Sequence, residues 1–287
     1  MQHTESVPVT PETPGFARFL ESYGYLAFKY LVYAALFANV FLFLREEWLA
    51  SNHLFAEGVP LARLIESFAA SIDTAAWVLL LALFELETHQ LPDDRLTPRV
   101  TRTLSLLRFF CYAIIGYAFV GYLSKALALI GSPATFADAC SVADGTRSLM
   151  TKLDKFTRLD ATNCASVAVP WVLSQASVVV DEPVFFEALR LAWTDVINSG
   201  SWLLVVALFE SEVRLQRLGR LSSLSYRALS GSKLVLYAVL FGCALYWGID
   251  GDFLDFWDAS LWLLAFFIIE LNVFQWRSET SFAPAAP

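Results

Sequence analysis

Long apolar stretches, most of them interrupted by one or more charges, recur six times along this chain, over residues 25–44, 67–90, 107–130, 185–212, 234–249 and 253–276. A helix rising 1.5 Å per residue needs roughly 20 apolar residues to cross a hydrocarbon layer of ~30 Å. The pattern therefore predicts an all-α polytopic membrane protein with six transmembrane helices. Two of the stretches carry acids that cannot be kept out of such a layer. Between Asp73 and Glu85, and between Asp258 and Glu270, the uncharged run is about 11 residues, or roughly 16 Å of helix. Each of these helices has to take at least one acid into the membrane.

The interruptions repeat. Asp73, Trp77 and Glu85 recur as Asn198, Trp202 and Glu210 and again as Asp258, Trp262 and Glu270, with eight positions from Trp to Glu each time. The helices preceding them align on Lys29 and Tyr33, Arg108 and Tyr112, and Lys233 and Tyr237, four positions apart. This reads as three parallel two-helix repeats: hairpins over 21–92, 100–213 and 228–277, with a disordered tail at 1–20 and a tail at 278–287. The second hairpin includes a long connection, 131–183.

Charge sets the orientation. Arg95, Arg99 and Arg102 follow the second span, and Arg214, Arg217, Arg220 and Arg227 follow the fourth. Basic connections stay in the cytoplasm, so both termini are expected inside and 131–183 outside, in a bacterial inner membrane. Cys140 and Cys164 in that exported loop are a disulfide pair or two free thiols. Cys111 and Cys243 lie in apolar helices as small core residues. The apolar run 165–180 is too short to span and is expected to be interfacial, re-entrant or β-structured.

Lys29, Arg108 and Lys233 should share a depth with Glu85, Glu210 and Glu270, and a buried charge costs enough that pairing is expected. Glu87, Glu212 and Asn272 lie two positions further, ~200° around the helix, so they are assigned to the headgroup side and the aligned Glu residues to the interior. The pairs either fix helix register or form a ring of carboxylates on an ion or proton path, with the bases as switchable partners. Tyr33, Tyr112 and Tyr237 could hydrogen-bond the Glu residues. Asp73, Asn198 and Asp258 are helix N-caps or an outer polar ring. Trp77, Trp202 and Trp262 are interhelical packing or an aromatic constriction.

Composition agrees with the pattern. The 287 residues are 57% hydrophobic and 17% charged, with mean hydropathy +0.54, which excludes an ordinary soluble domain. The formal charge of −8 argues against nucleic-acid binding. The three histidines make no metal-binding spacing, no nucleotide-binding or nucleophile motif occurs, and no cofactor is implied. Two functions follow from these observations: passage of a small cation or proton across the lipid bilayer, or a non-catalytic scaffold whose outer loop binds a cell-envelope protein.

Overall fold

The computed structural model describes residues 15–55, 59–87, 97–130, 133–135, 138–143, 145–173, 178–220 and 222–281, with side chains described outside 15–23, 62, 133–134, 213, 217 and 268–281. Six long helices occupy the six apolar stretches: α1 (Gly15–Leu54), α3 (Ala69–Glu85), α4 (Pro98–Ile130), α5 (Glu182–Arg217), α6 (Ser223–Asp250) and α7 (Phe253–Ser281). A short helix, α2 (Leu64–Ser67), leads into α3. Among the described residues, four helices are long and apolar enough to cross a membrane: Gly24–Leu54 within α1, α4, Glu182–Gln216 within α5, and α6.

Local chemistry sets several helix ends. Ser222 caps α6, its Oγ accepting from the Ser225 amide at 3.1 Å. Gly251 ends α6 in the left-handed region at φ 82°, where a residue without Cβ carries no steric penalty. The Asp252 amide then returns to the Trp247 carbonyl at 2.9 Å, giving the tight corner from which α7 departs. Pro183 in the first turn of α5 removes an amide that the helix could not have used.

The six long helices close a ring. Each packs on the next in the order α1, α3, α4, α5, α6, α7, and α7 returns to α1. Leu36, Ile115 and Leu240, each seven positions after the basic residue of its helix, point into the ring and are fully buried. The outside is apolar: Leu31, Phe37, Phe41, Phe109, Phe110 and Phe241 are among its exposed side chains. Such an apolar exterior is consistent with contact to lipid.

One end of the ring carries a five-stranded sheet built from the long connection, in the order β1 (Pro133–Thr135), β4 (Pro170–Leu173), β5 (Val178–Asp181), β2 (Ser148–Lys152), β3 (Lys155–Arg158). Among the described strands only the β5–β2 pairing is parallel. The apolar run 165–180 thus contains strands β4 and β5, because Val178, Val179 and Val180 are buried as a continuous strand run. The Cys140–Cys164 disulfide closes the far side of the sheet over Ala139, Leu149, Leu159 and Val179. Cys111 and Cys243 are free and buried.

Close approach anchors α2 to the ring. A Cβ at Gly121 of α4 would stand 2.6 Å from the Ile65 carbonyl oxygen, so only glycine allows that contact.

Candidate functional site

Below the sheet, the ring encloses a cavity of about 80 Å³, enough for several waters. Its floor is aromatic. The ring centroids of Trp77 on α3 lie 6.1 Å from those of Trp202 on α5 and Trp262 on α7, and Phe266 fills the remaining space 4.6 Å from Trp202. All three Trp are buried. This cluster stands between the cavity and an apolar half built on Val32, Leu36, Ile115, Val205, Leu240 and Ala265.

One helical turn above the Trp floor, Asp73, Asn198 and Asp258 face the cavity from the same three helices. The N-cap alternative for these residues is corrected by the helix limits. Asp73 lies inside α3, which starts at Ala69 after an N-cap at Phe68, Asn198 lies deep within α5, and Asp258 is past the first turn of α7. A turn higher, Asp195 and Asp255 line the cavity, while α3 contributes Ala70 there. The intervening helices supply aromatic walls: Phe43, Tyr122 and Trp247, each fourteen positions after Lys29, Arg108 and Lys233.

The β2–β3 turn forms the roof. Leu153 and Asp154 line the cavity, with Asp154 at φ 59°, a conformation that Asp tolerates better than most residues. Lys125 of α4 meets Asp154 at 2.7 Å. Lys152 meets Asp250 at 2.7 Å, and Lys155 reaches Asp252 at 3.3 Å and Glu46 at 3.5 Å. Burial alone would lower the Lys155 pKa, but the carboxylates of Asp252 and Glu46 outweigh it and raise the ammonium above the ordinary lysine value.

The lining contains eight carboxylates against one ammonium, Lys125. Some are satisfied within the protein. Asp258 Oδ1 accepts from Asn39 Nδ2 at 2.7 Å, Asp73 Oδ2 from the Tyr122 hydroxyl at 3.5 Å, and Glu47 from Ser71 Oγ at 2.6 Å and the Ala70 amide at 2.8 Å. Others are not. Asp73 Oδ1 and Asn198 Oδ1 are buried with no hydrogen-bond partner. Among the described residues no hydrogen bond or ion pair involves the carboxylate of Asp195 or Asp255. Leaving buried polar atoms unpaired costs roughly 1–3 kcal/mol each, and the adjoining cavity has room for waters or another donor to reach them.

The other end of the ring is organised differently. Lys29 bonds Glu85 at 2.6 Å, with the residues 2% and 8% exposed. Arg108 pairs with Glu87, and Lys233 with Glu212 at 2.9 Å. Glu210 is exposed, and the Glu270 side chain lies outside the described residues. One expectation is corrected here: Glu212 is buried rather than on the headgroup side.

Helix order explains the change. Arg108 and Lys233 sit on helices packed against the last helix of the preceding hairpin, where the acid two positions beyond the aligned Glu faces them. Lys29 has α7 as its corresponding neighbour, whose side chains from 268 onward lie outside the described residues. The partner of Lys29 is Glu85 on α3. Tyr30, rather than Tyr33, donates to Glu85, at 3.3 Å. Tyr33, Tyr112 and Tyr237 pack against the apolar half, and the Lys29 ammonium stands 5.9 Å from the Tyr33 ring.

Sequence reasoning missed Asp195, Asp255, Lys125 and the aromatic walls. A signal for most of them exists. Seven residues advance a helix to within about 20° of the same face, so stepping seven back from each Trp, or fourteen on from each base, reaches the upper lining.

No protein-family model, no curated protein and no solved structure matches this chain.

Proposed function

We propose that this chain is a six-span bacterial inner-membrane protein that binds a small cation in the cavity beneath its extracytoplasmic sheet and passes that cation, or protons, across the bilayer. The observation that carries the reading is the convergence of Asp73, Asn198 and Asp258 from three helices on one cavity with a large carboxylate excess. Ionisable groups at membrane depth that face a common interior cavity mark ion or substrate routes. Walls of low polarity focus the field of such acids and concentrate cations there.

In this mechanism the cation enters past the β2–β3 turn and exchanges water for carboxylate and amide oxygens. It then stands on the Trp77–Trp202–Trp262 floor. Onward movement requires those rings to rotate apart, since below them the ring interior is apolar. The Lys29–Glu85, Arg108–Glu87 and Lys233–Glu212 pairs hold neighbouring helices together during that movement rather than exchanging partners with the cation.

The test is cation binding to the purified protein, read by tryptophan emission, together with flux into proteoliposomes. Binding that Asp73→Asn/Asp258→Asn removes supports the reading. A protein whose emission and flux respond to none of sodium, potassium, calcium, magnesium or methylammonium sinks it.

A second reading, a scaffold whose outer loop holds an envelope protein, draws on the three separate interhelical charge pairs and the disulfide-closed sheet. It expects Glu85→Gln to lower folding yield without altering any flux, and deletion of 131–183 to release a co-purifying protein.

A further inference from the structure

We infer that the ligand of the cavity is a small organic ammonium ion, held between unsatisfied oxygens of α3, α5 and α7 and a cage of aromatic rings, rather than a chelated metal ion. The inference rests on the cation-binding reading above and gives it a ligand class.

The lining does not suit a metal ion. Calcium takes six to eight oxygens at 2.3–2.6 Å, and magnesium needs a near-octahedral set. Among the described residues no group of three or more His, Cys, Asp or Glu side chains is disposed to share one ion. The acids come from different levels, three residues or about 4.5 Å apart along the helices. Several already have partners, such as Asp258 with Asn39.

An ammonium ion fits the same surroundings. Its N–H groups are donors only, and the cavity presents acceptors that lack donors: Asp73 Oδ1 and Asn198 Oδ1, buried and unpaired, with the carboxylates of Asp195 and Asp255 one turn above. Its carbon substituents need apolar or aromatic contact. The Trp floor supplies this from below, and Phe43, Tyr122 and Trp247 supply it from the sides. Aromatic faces attract alkylammonium ions through the ring quadrupole, most strongly where water is excluded, and tryptophan is the best of them. A metal ion of high charge density gives up its hydration shell to such walls reluctantly. The protein already seats one ammonium here: Lys125, against Asp154 at the roof.

The experiment is titration of the purified full-length protein with methylammonium, sodium, potassium and calcium, followed by calorimetry and tryptophan emission. Methylammonium is expected to bind at least tenfold more tightly than potassium. Asp195→Asn/Asp255→Asn should weaken it at least tenfold with the melting temperature kept or raised. Trp202→Leu should reduce the preference for methylammonium over potassium. If that variant does not fold, Trp202→Phe is expected to keep the preference in reduced form. Potassium or calcium binding as tight as methylammonium would overturn the ammonium assignment and leave the cation reading standing. No binding of any of the four would overturn both.

Discussion

At the sheet end of the ring, polar side chains from α3, α5 and α7 face one another across a shared cavity, whereas toward the opposite end Lys29, Arg108 and Lys233 are each tied to a carboxylate on an adjacent helix. Both ends draw on the same hairpin pattern and the same residue types. The difference lies in what each charge faces. A Lys or Arg one helix away satisfies a buried carboxylate, and the pair then fixes register. Where carboxylates outnumber the donors around them, as in the cavity lining, the remaining oxygens can accept from an incoming donor. The same composition can thus build interhelical locks at one depth and, in the reading proposed above, a binding site at another.

The contrast breaks most visibly at Lys29 and Glu85. Glu85→Gln leaves a buried ammonium without its counter-charge and is expected to cost about 3–5 kcal/mol, measured by equilibrium unfolding in detergent. The double change Lys29→Met/Glu85→Leu should recover most of that loss, because apolar replacement of a buried pair is often neutral. At the exposed Glu210, Gln should change stability hardly at all, although Glu85 and Glu210 are aligned in sequence. Equal losses at the two sites would contradict the seam arrangement.

Removing the Cys140–Cys164 bridge with Cys→Ser at both positions should cost about 2–4 kcal/mol, read as a lower melting temperature of the sheet end. Gly121→Ala should follow at about 1–3 kcal/mol, since its Cβ meets the Ile65 carbonyl. The smallest effect concerns Lys155, whose side chain is partly exposed. Its pKa is raised in the folded protein, so its stabilising contribution is complete below the ordinary lysine value and is lost as pH rises through the folded value. Lys155→Met should therefore lower the melting temperature slightly at neutral pH and leave it unchanged in strongly alkaline solution. A difference that persists there would argue that the Lys155 contact acts through packing.

Much of this organisation was legible in the chain. Apolar length and charge interruption located all six long helices, and a pair of cysteines in the long connection pointed to the disulfide. The span-length argument also required acids to enter the membrane, and Asp73, Asn198 and Asp258 are the polar positions that converge. Neighbour identity was not legible. Whether Arg108 meets the aligned Glu or the one two positions on depends on which helix packs beside it, a property of ring closure rather than of periodicity. Asn39 and Asp258 are 219 positions apart, and nothing local in either segment announces their contact. The Lys125–Asp154 pair likewise depends on a loop that folds back as a sheet and lowers its turn into the ring mouth.

The central claim is that ligand binding belongs to the cavity and structural locking to the seams. Its most direct test is methylammonium-dependent tryptophan emission, compared between the unchanged protein, Asp195→Asn/Asp255→Asn and Glu85→Gln, each at a temperature where it is folded. The expected result is a saturable response in the unchanged protein and in Glu85→Gln, and one weakened at least tenfold in the cavity variant. An undiminished response in the cavity variant, or its loss in folded Glu85→Gln, would contradict the claim.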